Sequence, residues 1–501
     1  MAVDTASVAG IVAGRNPLEY DPKSPYTLFL FQVLVIVVLS ELLYYPLSKI
    51  KQPKVIAEVI VGILLGPSVM GRVPNFTDTV FPEVSMPSFT LVANIAIILF
   101  LFLVGLEVDV PFIKKNFKIA VTVGVINMAI PFALGCGIAK GLYNEYLSPE
   151  ESGLSFTTYM VFIAVAMCVT AFPVLVRILM SLELTKDRVG IITLSAGVLN
   201  DLLGWILLAL SITLVNASNP VNTVYILLLA VAWFILVLFP IRYVLCWLLK
   251  SDIARIKSGE RSKPSTLSLT VIVLLTFVSS FYTDIIGVHS IFGAFLVGLI
   301  VPREAEFSSL INEQLEGIVS GILVPLYFTL AGLKCDFGLL NTGIDWAYTI
   351  GIICLAFAGK LLGGFIGTKL FGLPNRDCLT VGILMSCKGI MEIVVLTTGL
   401  NAGLLTPKVF SIFIVMTLVT TFLTTPLTKL AYPKWYREKI AETSINESIK
   451  ESASISEIKE FKGTEEALFE TGDPLAPTSS SALDHSDKRF AFSLSVKDSN
   501  T

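Results

Sequence analysis

The chain has 501 residues, 54% of them apolar and only 15% charged, against about 25% charged in an ordinary soluble domain. With a mean hydropathy of +0.79, such a chain belongs in a bilayer. Its net charge of −3 is too small to attract nucleic acid or any other polyanionic partner.

Residues 1–24 contain Asp4, Glu19 and Asp21 and no signal-peptide core. The first span itself is therefore expected to direct insertion, with this segment on the lumenal or extracellular side. Apolar stretches long enough to cross ~30 Å of hydrocarbon then follow in order. They fall near 25–47, 54–70, 89–107, 117–141, 157–180, 188–216, 222–249, 266–284, 289–302, 317–334, 345–371, 378–401 and 408–431. The stretches near 54–70 and 289–302 are short for a span. The expected fold class is an all-α polytopic membrane protein of about thirteen transmembrane helices occupying 25–432. Segment 433–501 is rich in Ser, Glu, Asp and Lys beyond about residue 440 and reads as a cytosolic, mostly disordered tail. It carries no glycine-rich nucleotide fingerprint.

Loop charge tests this count. With the N-terminus lumenal, the cytosolic side receives Lys49, Lys51, Lys54, Lys114, Lys115, Lys118, Lys186, Arg188, Lys250, Arg255, Lys257, Arg261, Lys263, Arg303, Lys369 and Arg376. The other side receives Arg72, Lys140, Lys334 and Lys408, so the bias is sixteen to four. A positive-inside asymmetry of that size requires an odd span count. The glycosylation sequons at Asn75 and Asn216 fall in loops this topology makes lumenal, and the one at Asn446 lies in the cytosolic tail.

Seven scattered cysteines with no CxxC pair and two histidines read as small buried hydrophobes and give no metal framework. No cofactor is expected, and no metal beyond a transported monovalent cation.

An ionisable side chain in the hydrocarbon layer costs at least ~2.5–3.5 kcal/mol, so each one is a functional candidate. In chain order these are Glu41, Glu58, Asp201, Lys360, Lys388 and Glu392, with Glu107, Asp109, Arg177, Arg242 and Asp284 nearer span ends. Glu41 fits a helix–helix contact. Glu58 either lines an access route or approaches the cytosolic interface. Asp201, within LSAGVLNDLLGWILLALSI, is too deep for its side chain to reach headgroups. Burial favours the neutral form of a carboxyl group. An acid placed there can therefore trade a proton near neutral pH and, when ionised, hold a dehydrated cation. The alternative is a structural Asp bonded to a neighbouring helix.

In CVTAFPVL of the fifth stretch, Pro173 removes a backbone donor and disfavours helix at Phe172. The result is either an ordinary kink or a broken helix that lines a cavity. MSCKGIMEIVVL in the twelfth stretch places Lys388, Gly389 and Glu392 at similar depth, with Lys388 and Glu392 spaced to neutralise each other. Lys360, in FAGKLLGGF, has no acid partner in its own span. It faces either the Asn200-Asp201 region or a carbonyl at a helix break. If the seventh span is a connector, the interrupted stretches are fifth in each half, and the halves have opposite orientation.

The ordered motifs QPKVIAEVIVGILLGPSVMG, LFLFLVGLEVD, CVTAFPVLVRIL, AGVLNDLLGW, IIGVHSIFGAFLVGLIVPR, GLKCD, GKLLGG and SCKGIMEIVVL resemble the cation:proton antiporter 2 family over roughly residues 25–432. The similarity is greatest to fungal intracellular potassium/proton antiporters and plant cation/proton exchangers. It implies an inverted-repeat fold of the sodium/proton-antiporter kind, with two broken helices crossing beside the ion site and a core that moves like an elevator. Carried onto this chain, it makes Asn200 and Asp201 the ion pair-site, with Thr170 and Ala171 as further cation- or proton-binding residues in the first break, which runs from Thr170 through Phe172 to Pro173, and Gly389 in the second. Lys360, Lys388 and Glu392 become supporting charges, while Glu107 and Asp284 have less defined roles. Members with two adjacent aspartates are generally electrogenic, so Asn200 implies electroneutral exchange. The resemblance also implies K+ rather than Na+, a homodimer, and Golgi or endosomal membranes, with the plasma membrane as the alternative. Gating by nucleotide or glutathione is not expected from the short tail.

The expected activity is thus monovalent cation/proton antiport rather than enzymatic chemistry, with K+ or Na+, protons and the lipid bilayer as partners. A channel would need a TVGYG-like filter or a voltage-sensing arginine helix, neither of which is present. A non-transporting sensor or scaffold would leave Asp201 and Lys360 unexplained. No HExxH or GxSxG constellation marks an enzyme.

Overall fold

The computed structural model describes residues 16–22, 24–108, 117–147, 154–185, 187–216 and 220–439. Asp109, Lys114, Lys115, Lys186, Asn446, two residues of the Asn216 sequon and the tail from 440 lie outside the described residues. The chain divides into two compact units, Met1–Pro433 and Lys434–Thr501. In the second, residues 434–439 are helical.

Among the described residues the first unit is built of helices, the one open-ended structure whose backbone satisfies its own hydrogen bonds in hydrocarbon. It begins with α1 (Pro25–Lys49), α2 (Lys54–Leu65), the short α3 (Phe76–Val80), α4 (Met86–Glu107) and α5 (Phe117–Tyr146). Then come α6 (Phe156–Cys168), α7 (Phe172–Ser181), α8 (Arg188–Asn216), α9 (Pro220–Leu236) and α10 (Arg242–Lys257), the last two joined by a π-turn at Val237–Ile241. After α11 (Thr266–Ile285) and α12 (Ser290–Ile300), a second π-turn at Val319–Leu323 joins α13 (Phe307–Ile318) to α14 (Val324–Leu333). The chain closes with α15 (Gly343–Lys369), α16 (Asn375–Leu384), α17 (Ile390–Asn401) and α18 (Pro407–Ala431).

Among the described residues, eleven helical stretches are long and apolar enough to cross a membrane. The expected thirteen is not reached by long helices. The stretch near 289–302 is the 11-residue α12, and that near 378–401 is split into α16 and α17. A helix of 11 residues rises only about 16 Å at ~1.5 Å per residue, so α12 by itself is short for ~30 Å of hydrocarbon; spans are numbered by the thirteen apolar stretches. Helix α1 presents Leu30, Leu34, Val38 and Leu42 outward, an apolar stripe at i, i+4 spacing suited to lipid.

Two groups of helices emerge from the contacts. In one, α1 packs on α2, α2 on α14, α4 on α12 and α11 on α12. In the other, α5 packs on α6, α8 and α15, and α15 on α16 and α18. Within the first group the contacts are reciprocal. A Cβ on Gly62 would lie 2.7 Å from Gly332 Cα, and one on Gly105 would lie 2.9 Å from Gly298 Cα. Only glycine permits that approach. These contacts join the second span to the tenth and the third to the ninth. An offset of seven spans converts one contact into the other, as an inverted repeat generates. Gly105 and Gly298 both lie in the pentapeptide FLVGL, residues 102–106 and 295–299.

Candidate functional site

Two helix breaks lie side by side in the second group. The first separates α6 from α7 at Val169–Ala171, where Val169 (φ −67°, ψ 143°) and Ala171 (φ −95°, ψ 96°) are extended. Phe172 and Pro173, expected inside this break, instead open α7. Proline lacks the N–H that a first turn leaves unbonded, and its fixed φ suits that position, so the irregular backbone is pushed upstream. The second break, Met385–Gly389, separates α16 from α17. Gly389 has φ +144°, and a Cβ there would approach Val174 Cγ2 to 2.9 Å. The breaks are joined by Ala171 N–H donating to the Cys387 carbonyl at 3.3 Å and Thr170 Oγ1 donating to the Met385 carbonyl at 3.2 Å.

The half-helix α6 ends inside the protein, where its last carbonyls need donors. Val169 N–H takes the Val165 carbonyl. Lys388 Nζ donates to Ala166 O at 2.9 Å and Met167 O at 3.2 Å, and Lys360 Nζ donates to Cys168 O. Two ammonium groups thus complete the negative end of one helix dipole. Lys360 also donates to Asn127 Oδ1 at 3.0 Å and Thr170 Oγ1 at 2.6 Å. Of the two readings left open for Lys360, it takes the break carbonyl, within a network that reaches Asn200. Lys388 and Glu392 form an ion pair of 2.7 Å, both buried, although Lys388 lies in the break and not on a helix face. Glu392 Oε1 has no hydrogen-bond partner.

Helix α8 brings Asn200 and Asp201, 0% and 1% exposed, against the first break. Asn200 Nδ2 donates to Asn127 Oδ1 and Thr170 Oγ1, each at 3.2 Å. Its own Oδ1 is buried and unpartnered. Asp201 Oδ1 accepts the Phe172 N–H at 3.4 Å, which places the carboxyl at the positive end of α7. The cluster therefore holds the Asp201 carboxyl at the first turn of α7, an unpartnered amide oxygen on the adjacent Asn200 and irregular backbone, with the two capped cations bound into the same network. A buried unpartnered acceptor beside a carboxyl is the pattern expected where a cation or water is held in part of a cycle.

Asn127 is the member of the network that charge-based reading passed over. It sits mid-span in α5, 0% exposed, and its Nδ2 donates to the Lys360 carbonyl at 2.8 Å. Thr421 of α18 was missed in the same way, although it accepts from Lys388 N–H and donates to the Lys388 carbonyl. An amide or hydroxyl inside an apolar run was the available signal.

The remaining candidates lie elsewhere. Glu41 pairs with Lys54 across α1 and α2. Glu58 is buried on α2 with one unpartnered carboxylate oxygen. Asn75 is exposed, with φ +62°, while the Asn216 side chain lies outside the described residues. Cys354 is exposed and Cys136 and Cys246 are half-buried, so these three are not the buried hydrophobes expected.

A 740 Å³ cavity opens beside Lys51, Lys54, Arg177, Ser181, Glu316 and Ser320. It shares Arg177, Glu316 and Ser320 with a 10 Å³ cavity whose lining includes Glu107 and reaches Pro173. A vestibule thus runs from the face bearing Lys51 toward the first helix break. Asp284 lines a separate 140 Å³ cavity with His289, Lys334 and Asn401.

The sodium/hydrogen exchanger transmembrane family model matches residues 34–430. The chain is 50% identical over 440 residues to K(+)/H(+) antiporter 1 of Saccharomyces cerevisiae, covering 87% of this chain and 50% of that relative. It is 36% identical over 435 residues to Cation/H(+) antiporter 18 of Arabidopsis thaliana, covering 87% and 52%. Against Na(+)/H(+) antiporter NhaS4 of a Synechocystis species it is 32% identical over 407 residues, covering 81% and 97%. It spans about half the length of the first two. Among solved structures, the sodium proton antiporter MjNhaP1 of Methanocaldococcus jannaschii matches with TM-score 0.58 at 17% identity, covering 82% of this chain and 98% of that one. That likeness shows a shared fold. The chain belongs to the sodium/hydrogen exchanger family and is a multi-pass integral membrane protein.

Proposed function

We propose that this member of the sodium/hydrogen exchanger family is a monovalent cation/proton antiporter that takes K+ in preference to Na+. The observation that carries the reading is Asp201 of α8, buried with its carboxyl on the first N–H of α7 and followed on its own helix by no other charge, while the preceding Asn200 keeps an unpartnered amide oxygen. Ionised, Asp201 holds a dehydrated cation with Asn200 Oδ1, the Thr170 hydroxyl and the Ala171 region of the break as further oxygen sources. Protonated, the carboxyl loses the negative charge that balanced the cation, which then leaves. Lys360, Lys388 and Glu392 hold the broken helices in register around that event, and no cofactor takes part. One carboxylate at the pair-site supports one proton exchanged per cation, hence electroneutral exchange.

K+ preference is supported by the name of the yeast relative, a K(+)/H(+) antiporter at 50% identity, although the NhaS4 relative is named for Na+. The vestibule opens on the face bearing Lys51 and Lys54. The sixteen-to-four loop charge makes that face cytosolic, with the N-terminus lumenal. We place the protein, as a homodimer, in Golgi or endosomal membranes, where it contributes to organelle pH and potassium balance. Asn75 is the sequon best placed to carry a glycan.

The test is cation-driven proton flux in liposomes containing the purified protein, wild type beside Asp201→Asn. Exchange in the wild type and none in the variant is expected. Undiminished exchange in the variant overturns the site, and cation flux with no proton counter-movement identifies a channel instead.

A further inference from the structure

The 740 Å³ vestibule and the 140 Å³ cavity lie at opposite ends of the same helices. The vestibule and its small extension take Phe100 to Glu107 from the end of α4 and Asn312 to Gly321 from α13 and the following turn. The other cavity takes Thr90 and Asn94 from the start of α4, Tyr327, Leu330 and Ala331 from α14, and Lys334 just past its end. Each is completed by the second half of one broken helix: Pro173 and Arg177 of α7 in the first case, Thr397 to Asn401 of α17 in the second. Exchanging α4 with α14 and α7 with α17, the same offset of seven spans as the glycine contacts, turns one cavity into the other. The first is open and the second small.

We propose that the 140 Å³ cavity is the cation entrance for the second face, with Asp284 as the carboxylate that receives a monovalent cation there. This rests on the antiport reading. The lining is rich in oxygen: the Asp284 carboxylate, the Asn94 amide, and the hydroxyls of Thr90, Ser290 and Thr398. A single carboxylate suits a singly charged ion. His289 contributes little as a ligand through Nδ1, which accepts the Ile291 N–H at 3.4 Å and caps α12. Lys334, just past the end of α14, brings an ammonium to the same lining. Its Nζ donates to Asn401 Oδ1 at 3.1 Å, so an ammonium is tethered at the cavity by the end of the second broken helix. While that tether holds, the ammonium offsets the Asp284 charge and keeps the entrance unattractive to cations. When α17 moves and Asn401 withdraws, Lys334 is freed and Asp284 is left to collect K+ from that side. Closure of one face is thus linked to the charge of the other.

The experiment measures the apparent KM for K+ separately from each face, in vesicles selected for one orientation by a terminal tag. Asp284→Asn is expected to raise KM roughly tenfold on the Asp284 face, the scale on which a charged funnel concentrates its ion. KM on the Lys51 face is expected to stay unchanged, and Asp284→Glu to restore the wild-type value. Equal effects on both faces, or none on either, overturn the assignment. Should Asp284→Asn not accumulate, Lys334→Gln answers the same question: KM on the Asp284 face falls, whereas an unchanged value contradicts the proposal. Wild-type protein that exchanges no K+ for protons would instead overturn the antiport reading itself.

Discussion

Lys360 and Lys388 converge on the end of a single half-helix, donating between them to the carbonyls of Ala166, Met167 and Cys168. Two ammonium groups so close repel each other, and each is held by the orphan carbonyls and its own polar partners. For Lys360 these are Asn127 and Thr170; for Lys388 the partner is Glu392. The break that serves the candidate ion site is therefore built around fixed positive charge, and the acidic side of the site is Asp201.

Removing Lys388 leaves Glu392 as an uncompensated buried charge and strips the carbonyls of Ala166, Met167 and Val169 of a donor. Lys388→Met is expected to destabilise the protein by about 3–5 kcal/mol, as when one partner of a buried pair is lost. Glu392→Gln, which keeps an acceptor for Lys388, is expected to cost less. Thermal unfolding in detergent, compared across wild type and both variants, checks the order.

Gly389 has a φ of +144° and backs onto Val174. Gly389→Ala imposes a left-handed strain of about 1–3 kcal/mol and pushes the two breaks apart. Folded protein with much reduced exchange is expected. Full activity would mean that the close contact of α7 with the second break is dispensable.

Asn200 occupies the position that decides how many carboxylates the site carries. Asn200→Asp adds one, at the loss of the donor to Asn127 and Thr170. Wild-type exchange is expected to ignore an imposed membrane potential, and Asn200→Asp, where active, to respond to it. Potential-dependent exchange in the wild type contradicts one-for-one stoichiometry.

Much of this arrangement was legible in the sequence, because the bilayer makes charge expensive. Asp201, Lys360, Lys388 and Glu392 stood out for that reason, and Pro173 marked the first break to within a few residues. The exact break was not legible: proline tolerates the first turn of α7, so the extended residues are Val169 to Ala171. Asn127 escaped notice because a neutral amide carries no comparable penalty, although it joins Lys360 to Asn200. The glycine contacts Gly62–Gly332 and Gly105–Gly298 were hidden for a different reason. They pair residues distant in the chain; the shared FLVGL around Gly105 and Gly298 is the only sequence mark of one pair, and nothing local distinguishes Gly62 or Gly332 from other glycines in apolar runs.

On the proposed antiport reading, a proton and a cation compete for one carboxylate, Asp201. The most direct measurement is the apparent KM for K+ as a function of pH in proteoliposomes, with equal pH on both sides. Below the pKa of the site, each unit of acidification is expected to raise KM by about tenfold while the maximal rate stays constant, the linkage of one proton to one cation. A KM that does not change with pH while the maximal rate falls would show that the proton binds elsewhere, and would contradict competition at Asp201.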